Sequence, residues 1–206
     1  MARRPLTVAL WLALAFALPL VLGLRHLAQR RAARVVPPIF ATLPDFQLTD
    51  ENGRAFGLGA LRGQAFVASF FFTSCPSICP RLTAEVERLQ GLTRGRALNF
   101  VSFSVDPRVD TPERLRAWAT RFHADPARWH FLTGEAPRLQ RVAQEGFLQA
   151  TEVRDDAVPG RPQGYNILHS GNVILVDRRG QIRGYFRANA EGSAALLEAL
   201  DAISRE

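Results

Sequence analysis

The stretch "AFVASFFF" (residues 65–72) runs for eight residues with no charge and no alternation of polar with apolar positions. A strand with one wet face alternates, whereas a strand covered on both faces reads as a continuous apolar run. This strand therefore belongs in the middle of a sheet with other elements over both sides. A second such run, "LNFVSFSV" (98–105), follows. Between them Leu82, Val86 and Leu89 stand at i, i+4 and i+7, which predicts a helix from Pro80 to about Leu89 with Gly91 as its stop. Strand, helix, strand is the unit from which parallel sheets are built.

The remaining segments extend that pattern. "DFQLTDENGRAF" (45–56) reads as a hairpin turning at Asn52-Gly53. "DTPERLRAWATRF" (110–122) opens with cap residues and Pro112, and turns Leu115, Trp118, Ala119 and Phe122 to one buried face. "WHFL" (129–132) is a third strand and "EAPRLQRVAQ" (135–144) a short helix. "NVILVDRRGQIRGYF" (172–186) is a hairpin turning at Arg179-Gly180, and "EGSAALLEALDAIS" (191–204) a terminal helix. The expectation is one α/β domain over 41–206, a mixed sheet flanked by helices.

Ahead of it lies a different kind of segment. Leu6–Leu24, "LTVALWLALAFALPLVLGL", is 19 residues without a charge, long enough to cross a bilayer as a helix. Pro19 is tolerable there. A cleaved signal peptide is the rival, but its apolar region is usually shorter, and "GLRHLAQRRAAR" offers no clean small-x-small site. The expected organisation is an uncleaved anchor over 1–24 and a tether over 25–40, stiffened by the prolines of "VVPPIF". Arg3 and Arg4 precede the apolar segment, while Arg25, Arg30, Arg31 and Arg34 follow it. By the positive-inside rule that balance puts the C-terminal domain in the cytoplasm.

Nearly all of the net charge of +7 resides in those flanks, because the first 34 positions hold six Arg and no acid. The rest carries 20 of the 26 basic residues, all Arg, against 19 acids. A phosphate-binding domain concentrates basic residues on its folded body, so nucleic acid is not the expected partner.

Only two cysteines occur in the chain, Cys75 and Cys79, in "FFFTSCPSICPRL". They stand where the first central strand enters its helix, which is the thioredoxin-like arrangement. Free amides and the helix dipole favour thiolate over thiol at that place. A thioredoxin spaces its pair C-x-x-C; here the step is four, which puts both sulfurs on one face about a turn apart. At that range they can close a disulfide or share a metal ion. A four-residue step constrains little unfolded chain, so a purely structural crosslink is a poor explanation. A peroxidase would place a proline shortly before the reactive cysteine, and Ser69 to Ser74 contains none.

A metal would need a third ligand. Of the four histidines, His26 abuts the anchor, and His123 and His130 read as surface or capping residues at a helix end and a strand start. His169, in "GYNILHSGNVILVD", lies just before a buried strand, where thioredoxin-like folds bring a loop opposite the cysteine pair.

"FFFTSCPSICP", "VSFSVDPRVDTPERLRAWATRF", "HFLTG" and "ILHSGNVILVDRRGQIRGYF" together resemble the SCO/SenC proteins, membrane-anchored thioredoxin-like copper chaperones of respiratory oxidase assembly. The resemblance covers most of 41–206 in the family's order. It implies copper, as Cu(I), Cu(II) or both, held by Cys75, Cys79 and His169. It also implies an N-in anchor in the inner membrane, with the domain outside the cytoplasm, against the Arg balance. The partners it implies are the copper-bearing subunit of cytochrome c oxidase, other copper chaperones and thiol reductants. Asp106 and Asp110 match the family's paired acids; from the residues alone they read as a turn residue and a helix cap.

The chemistry agrees with that resemblance. Thiolates are soft and select Cu(I), and an imidazole completes a site that also suits the oxidised ion. Oxidation of the thiols to a disulfide would release the ion. Two function classes stay open: a metallochaperone that inserts copper into the binuclear centre of cytochrome c oxidase, and a thiol–disulfide reductase that keeps the acceptor's cysteines reduced without metal. A membrane-anchored redox or copper sensor is a third. His169 separates the first two, since the reductase does not need it.

Overall fold

The computed structural model describes residues 16–25, 36–149, 152–153, 167–168 and 171–206. Residues 16–25, the described end of the apolar N-terminal segment together with Arg25, form a helix (α1) exposed along its whole length. Among the described residues no helix is long and apolar enough to cross a membrane.

The apolar runs become neighbouring central strands. β4 (Ala65–Phe71) is buried at every position and lies parallel to β5 (Leu98–Ser104), which lies parallel to β6 (Trp129–Leu132). β9 (Asn172–Val176) flanks β4 on its other side, antiparallel, and β10 (Gln181–Arg187) and β1 (Ala41–Thr42) complete a six-stranded sheet. The order β1-β10-β9-β4-β5-β6 is a mixed, thioredoxin-like sheet. The hairpin strands β2 (Gln47–Thr49) and β3 (Ala55–Gly57) pair with each other, with Gly53 at φ 76 supplying the left-handed residue of their turn. Strands β7 (Glu152–Val153) and β8 (Ile167–Leu168) form a separate antiparallel pair.

Alternation along β4 sends Val67 and Phe71 to one face and Phe66, Ala68 and Phe70 to the other. The first face is covered by α2 (Ile78–Leu92), α3 (Pro112–Arg121) and α5 (Ala190–Ile203), through Leu82, Val86, Leu115, Trp118, Leu196 and Leu200. The second is covered by the β2–β3 region and by α4 (Ala136–Arg141) with the turn after it, through Leu48, Leu58, Leu139 and Phe147. The double coverage explains the absence of polar alternation in β4 and β5.

Several boundaries differ from the sequence reading. α2 begins at Ile78, two residues before Pro80, because a proline in the first turn lacks only an amide that has no helical partner there. Cys79 is thereby inside the helix. The helix also passes through Gly91 to Leu92, and Thr93 ends it, its hydroxyl donating to the Leu89 carbonyl at 2.8 Å. The helix expected over 135–144 divides into α4 and one wider π-type turn, Val142–Gly146. Ala119 is half-buried, while Leu115, Trp118 and Phe122 are buried as expected.

The start of β10 is held by an ion cluster built around one buried arginine. Arg183, only 4% exposed, donates to Asp177 (2.8 Å), to Glu206 (2.7 Å) and to the Pro37 carbonyl (2.9 Å). Residues 37–42 are thus fastened alongside β10.

Candidate metal centre

Beyond Phe71 the chain leaves the sheet and turns, the Cys75 amide donating to the Phe72 carbonyl at 3.3 Å. Ser77 precedes α2 but makes no capping hydrogen bond through its side chain. The amides of the first helical turn face the Cys75 sulfur instead, and the Cys79 amide donates to it at 3.5 Å. Cys75 is 6% exposed and Cys79 is fully enclosed. Both belong to the apolar cluster of Phe71, Phe72, Leu82 and Trp118, and both are thiols rather than half-cystines.

The two sulfurs have opposite acidities. Burial alone would raise Cys75, but the amides of Cys79, Ser77 and Ile78 and the Cys79 thiol outweigh it and hold Cys75 below the ordinary thiol range. Burial pushes Cys79 well above that range, and the neighbouring Cys75 sulfur and Asp110 carboxylate add to the effect. The pair is therefore one nucleophile-like thiol beside one that keeps its proton.

α3 and the loop before it support both cysteines. Asp110 does not cap α3: Thr111 is the cap, its hydroxyl accepting from the Arg114 amide. The fully buried Asp110 carboxylate turns the other way. It accepts from the Thr73 amide at 3.1 Å, from the Thr73 hydroxyl and from Ser104 Oγ at 2.6 Å. Asp106 is the turn residue expected, its carbonyl accepting from the Val109 and Asp110 amides. Burial, then the charge of Asp110, raise its carboxyl above the ordinary range, against Arg108 and Arg114. On the Cys79 side, Thr83 Oγ1 donates to the Cys79 carbonyl at 2.8 Å and itself accepts from the Trp118 indole at 3.2 Å. Neither Thr73 nor Thr83 stands out in the sequence, since no local pattern links them to Asp110 and Trp118, 37 and 35 positions away.

His26 and His169 lie outside the described residues. The described neighbour of His169 that bears on the site is Gly171, which rests on Ile78 between the two cysteines: a Cβ there would come within 2.8 Å of Ile78 Cδ1. His123 is exposed and paired with Glu87 at 2.8 Å, as its surface reading required. His130 differs from that reading. It is half-buried in β6, against the Phe56 ring at 4.6 Å and 3.9 Å from Glu51. Among the described residues no three His, Cys, Asp or Glu side chains gather as a metal site, so neither histidine joins the cysteines.

The SCO1/SenC family pattern matches residues 38–204. The chain belongs to the SCO1/SenC family. Among the relatives, a protein of Stutzerimonas stutzeri named as a candidate copper-binding protein is 33% identical over 183 residues, 86% of this chain and 84% of its own. The SCO1 protein homolog of Bacillus subtilis is 28% identical over 153 residues, 72% of this chain and 75% of its own. Two solved SCO structures superpose on it. A SCO1/SenC family lipoprotein of Bacillus anthracis does so with a TM-score of 0.73 at 26% identity, covering 82% of this chain and 99% of that one. ScoI of Bradyrhizobium japonicum, solved with copper bound, gives 0.61 at 28%, covering 80% and 99%.

Proposed function

We propose that this SCO1/SenC protein is a membrane-anchored copper metallochaperone that delivers copper to the binuclear copper centre of cytochrome c oxidase. The ion is its cargo, held by Cys75, Cys79 and His169. The observation that carries this reading is the buried thiol pair at the α2 N-terminus, with the Cys79 amide on the Cys75 sulfur. Two adjacent soft donors in an apolar surround suit Cu(I), and a single imidazole would extend the set to Cu(II). Gly171 against Ile78 supports His169 as that imidazole, because the chain two residues beyond it packs on the segment between the cysteines. The relative with copper bound supports the metal. An anchor over 1–24 and a tether over 25–40 would hold the 41–206 domain on the outer side of the inner membrane; the exposed apolar surface of α1 suits lipid.

One observation favours a second reading. The low acidity of Cys79 beside the enhanced acidity of Cys75 is the arrangement of an attacking and a resolving thiol, as in a thiol–disulfide reductase for the acceptor's cysteines. Metal analysis of the reduced full chain, purified in detergent from copper-supplemented cells, separates the two. About one copper per chain is expected of the chaperone; a chain that stays metal-free yet reduces disulfides is the reductase.

A further inference from the structure

A wholly buried carboxylate is expensive unless its position serves something. Among the described residues no ion pair reaches Asp110, and the helix-capping task at α3 belongs to Thr111. What Asp110 does hold is the loop that carries Cys75. Thr73 stands two residues ahead of that cysteine and gives Asp110 both its amide (3.1 Å) and its hydroxyl. The carboxylate is itself fixed. Its residue's amide donates to the Asp106 carbonyl at 2.9 Å. The Ser104 hydroxyl that donates to it also accepts the Asp106 amide at 3.1 Å. Ser104 closes β5 in register with Phe71, which closes β4. Asp110 therefore clamps the cysteine loop to the ends of the two central strands.

We infer that Asp110 is a positioning residue for the thiol pair: through Thr73 it holds the Cys75 loop where the two sulfurs meet. This rests on Cys75 and Cys79 being the working pair. Without the clamp, the Thr73 amide and hydroxyl lose their acceptor, and the turn from Phe72 to Cys75 is no longer tied to β5. The sulfur of Cys75 then spends less time beside Cys79, and their effective concentration toward each other falls. Disulfide formation is the direct readout. In exchange with glutathione disulfide, two protein thiols give one protein disulfide and two reduced glutathiones, so the equilibrium constant reports how well the sulfurs are held together.

The test uses the metal-free full chain in detergent, equilibrated in glutathione buffers, quenched with acid and counted for free thiols. Asp110→Ala should move the equilibrium toward the dithiol by about tenfold, the effect of one lost charge-assisted hydrogen bond. Thr73→Val, which keeps the amide contact, should move it in the same direction by a smaller factor. Thr73→Ser restores the hydroxyl and should remain within about twofold of the parent. Ser69→Ala is the control for a merely structural loss. It removes a buried bond to Ser102 (2.8 Å) in the sheet interior and should lower Tm while leaving the thiol equilibrium in place. Should Asp110→Ala fail to fold, the Thr73→Val and Thr73→Ser pair decides alone. Parent values in Thr73→Val, or an equal displacement in Ser69→Ala, would overturn the assignment. Copper is read separately, as the sulfur-to-copper absorption of the same variants. Its absence from the parent chain would dismiss the metal reading and leave the glutathione result standing.

Discussion

The amide of Cys79 donates to the sulfur of Cys75 across 3.5 Å, so the second cysteine of the pair helps to make the first one acidic. The reverse does not hold, because Cys79 is enclosed and faces both the Cys75 sulfur and Asp110. This asymmetry sets the order of events at the thiols.

At neutral pH an alkylating agent should modify Cys75 alone, and faster than a free cysteine. As pH falls, the rate should hold until below the ordinary thiol range, since the Cys75 acidity is enhanced. As pH rises, Cys79 should become reactive only in unfolded protein. Peptide mapping after timed iodoacetamide exposure checks both. Equal labelling of the two cysteines in the folded chain would contradict the asymmetry.

The ligand set separates by copper oxidation state. Cu(I) tolerates two thiolates, whereas Cu(II) prefers nitrogen and a larger set. His169→Ala should weaken Cu(II) binding severely and leave much of the Cu(I) affinity. Cys75→Ser or Cys79→Ser should abolish stable binding of both. In cells all three should impair oxidase assembly if the protein transfers copper; a reductase would tolerate His169→Ala. Titration with Cu(II), followed at the sulfur-to-copper band, and a competing chelator for Cu(I) provide the measurement. Mild oxidant should join the two thiols within one molecule and expel the ion.

Topology is open to a direct check. A periplasmic-type reporter fused after Glu206 should be active and a cytoplasmic-type one silent, in spite of Arg25, Arg30, Arg31 and Arg34. The opposite pattern would restore the orientation that the arginine balance implies.

Glu51 predicts a pH effect on stability remote from the thiols. Burial alone would raise its carboxyl, but His130 and the Phe131 amide, which donates at 2.9 Å, hold it below the ordinary range. A depressed folded value means stability that is present above the unfolded carboxyl range and lost as pH falls through the folded one. Glu51→Gln should therefore cost about 1–2 kcal/mol at neutral pH. The gap between variant and parent should close in acid. Urea unfolding of both proteins at several pH values reads this, and a gap that does not depend on pH would refute it.

The order of strands and helices was legible in the chain because each signal is local. The unbroken run 65–72 announces a strand covered on both faces, and the spacing of Leu82, Val86 and Leu89 announces the helix behind it. Their junction places Cys75 and Cys79 at a helix N-terminus without any tertiary information, and four family-like segments name the family. What joins residues distant in sequence was decided only by the folded structure. Asp110 looks like a helix cap because Thr111 and Pro112 follow it, yet packing of β5 beside β4 brings Thr73 to its carboxylate, 37 positions away. His130 reads as a surface residue until the β2–β3 hairpin lays Glu51 and Phe56 against it. Gly171 has no local signature for its close approach to Ile78. Periodicity and caps are written into a few consecutive residues, whereas a buried carboxylate takes its role from whichever donors the tertiary packing delivers to it.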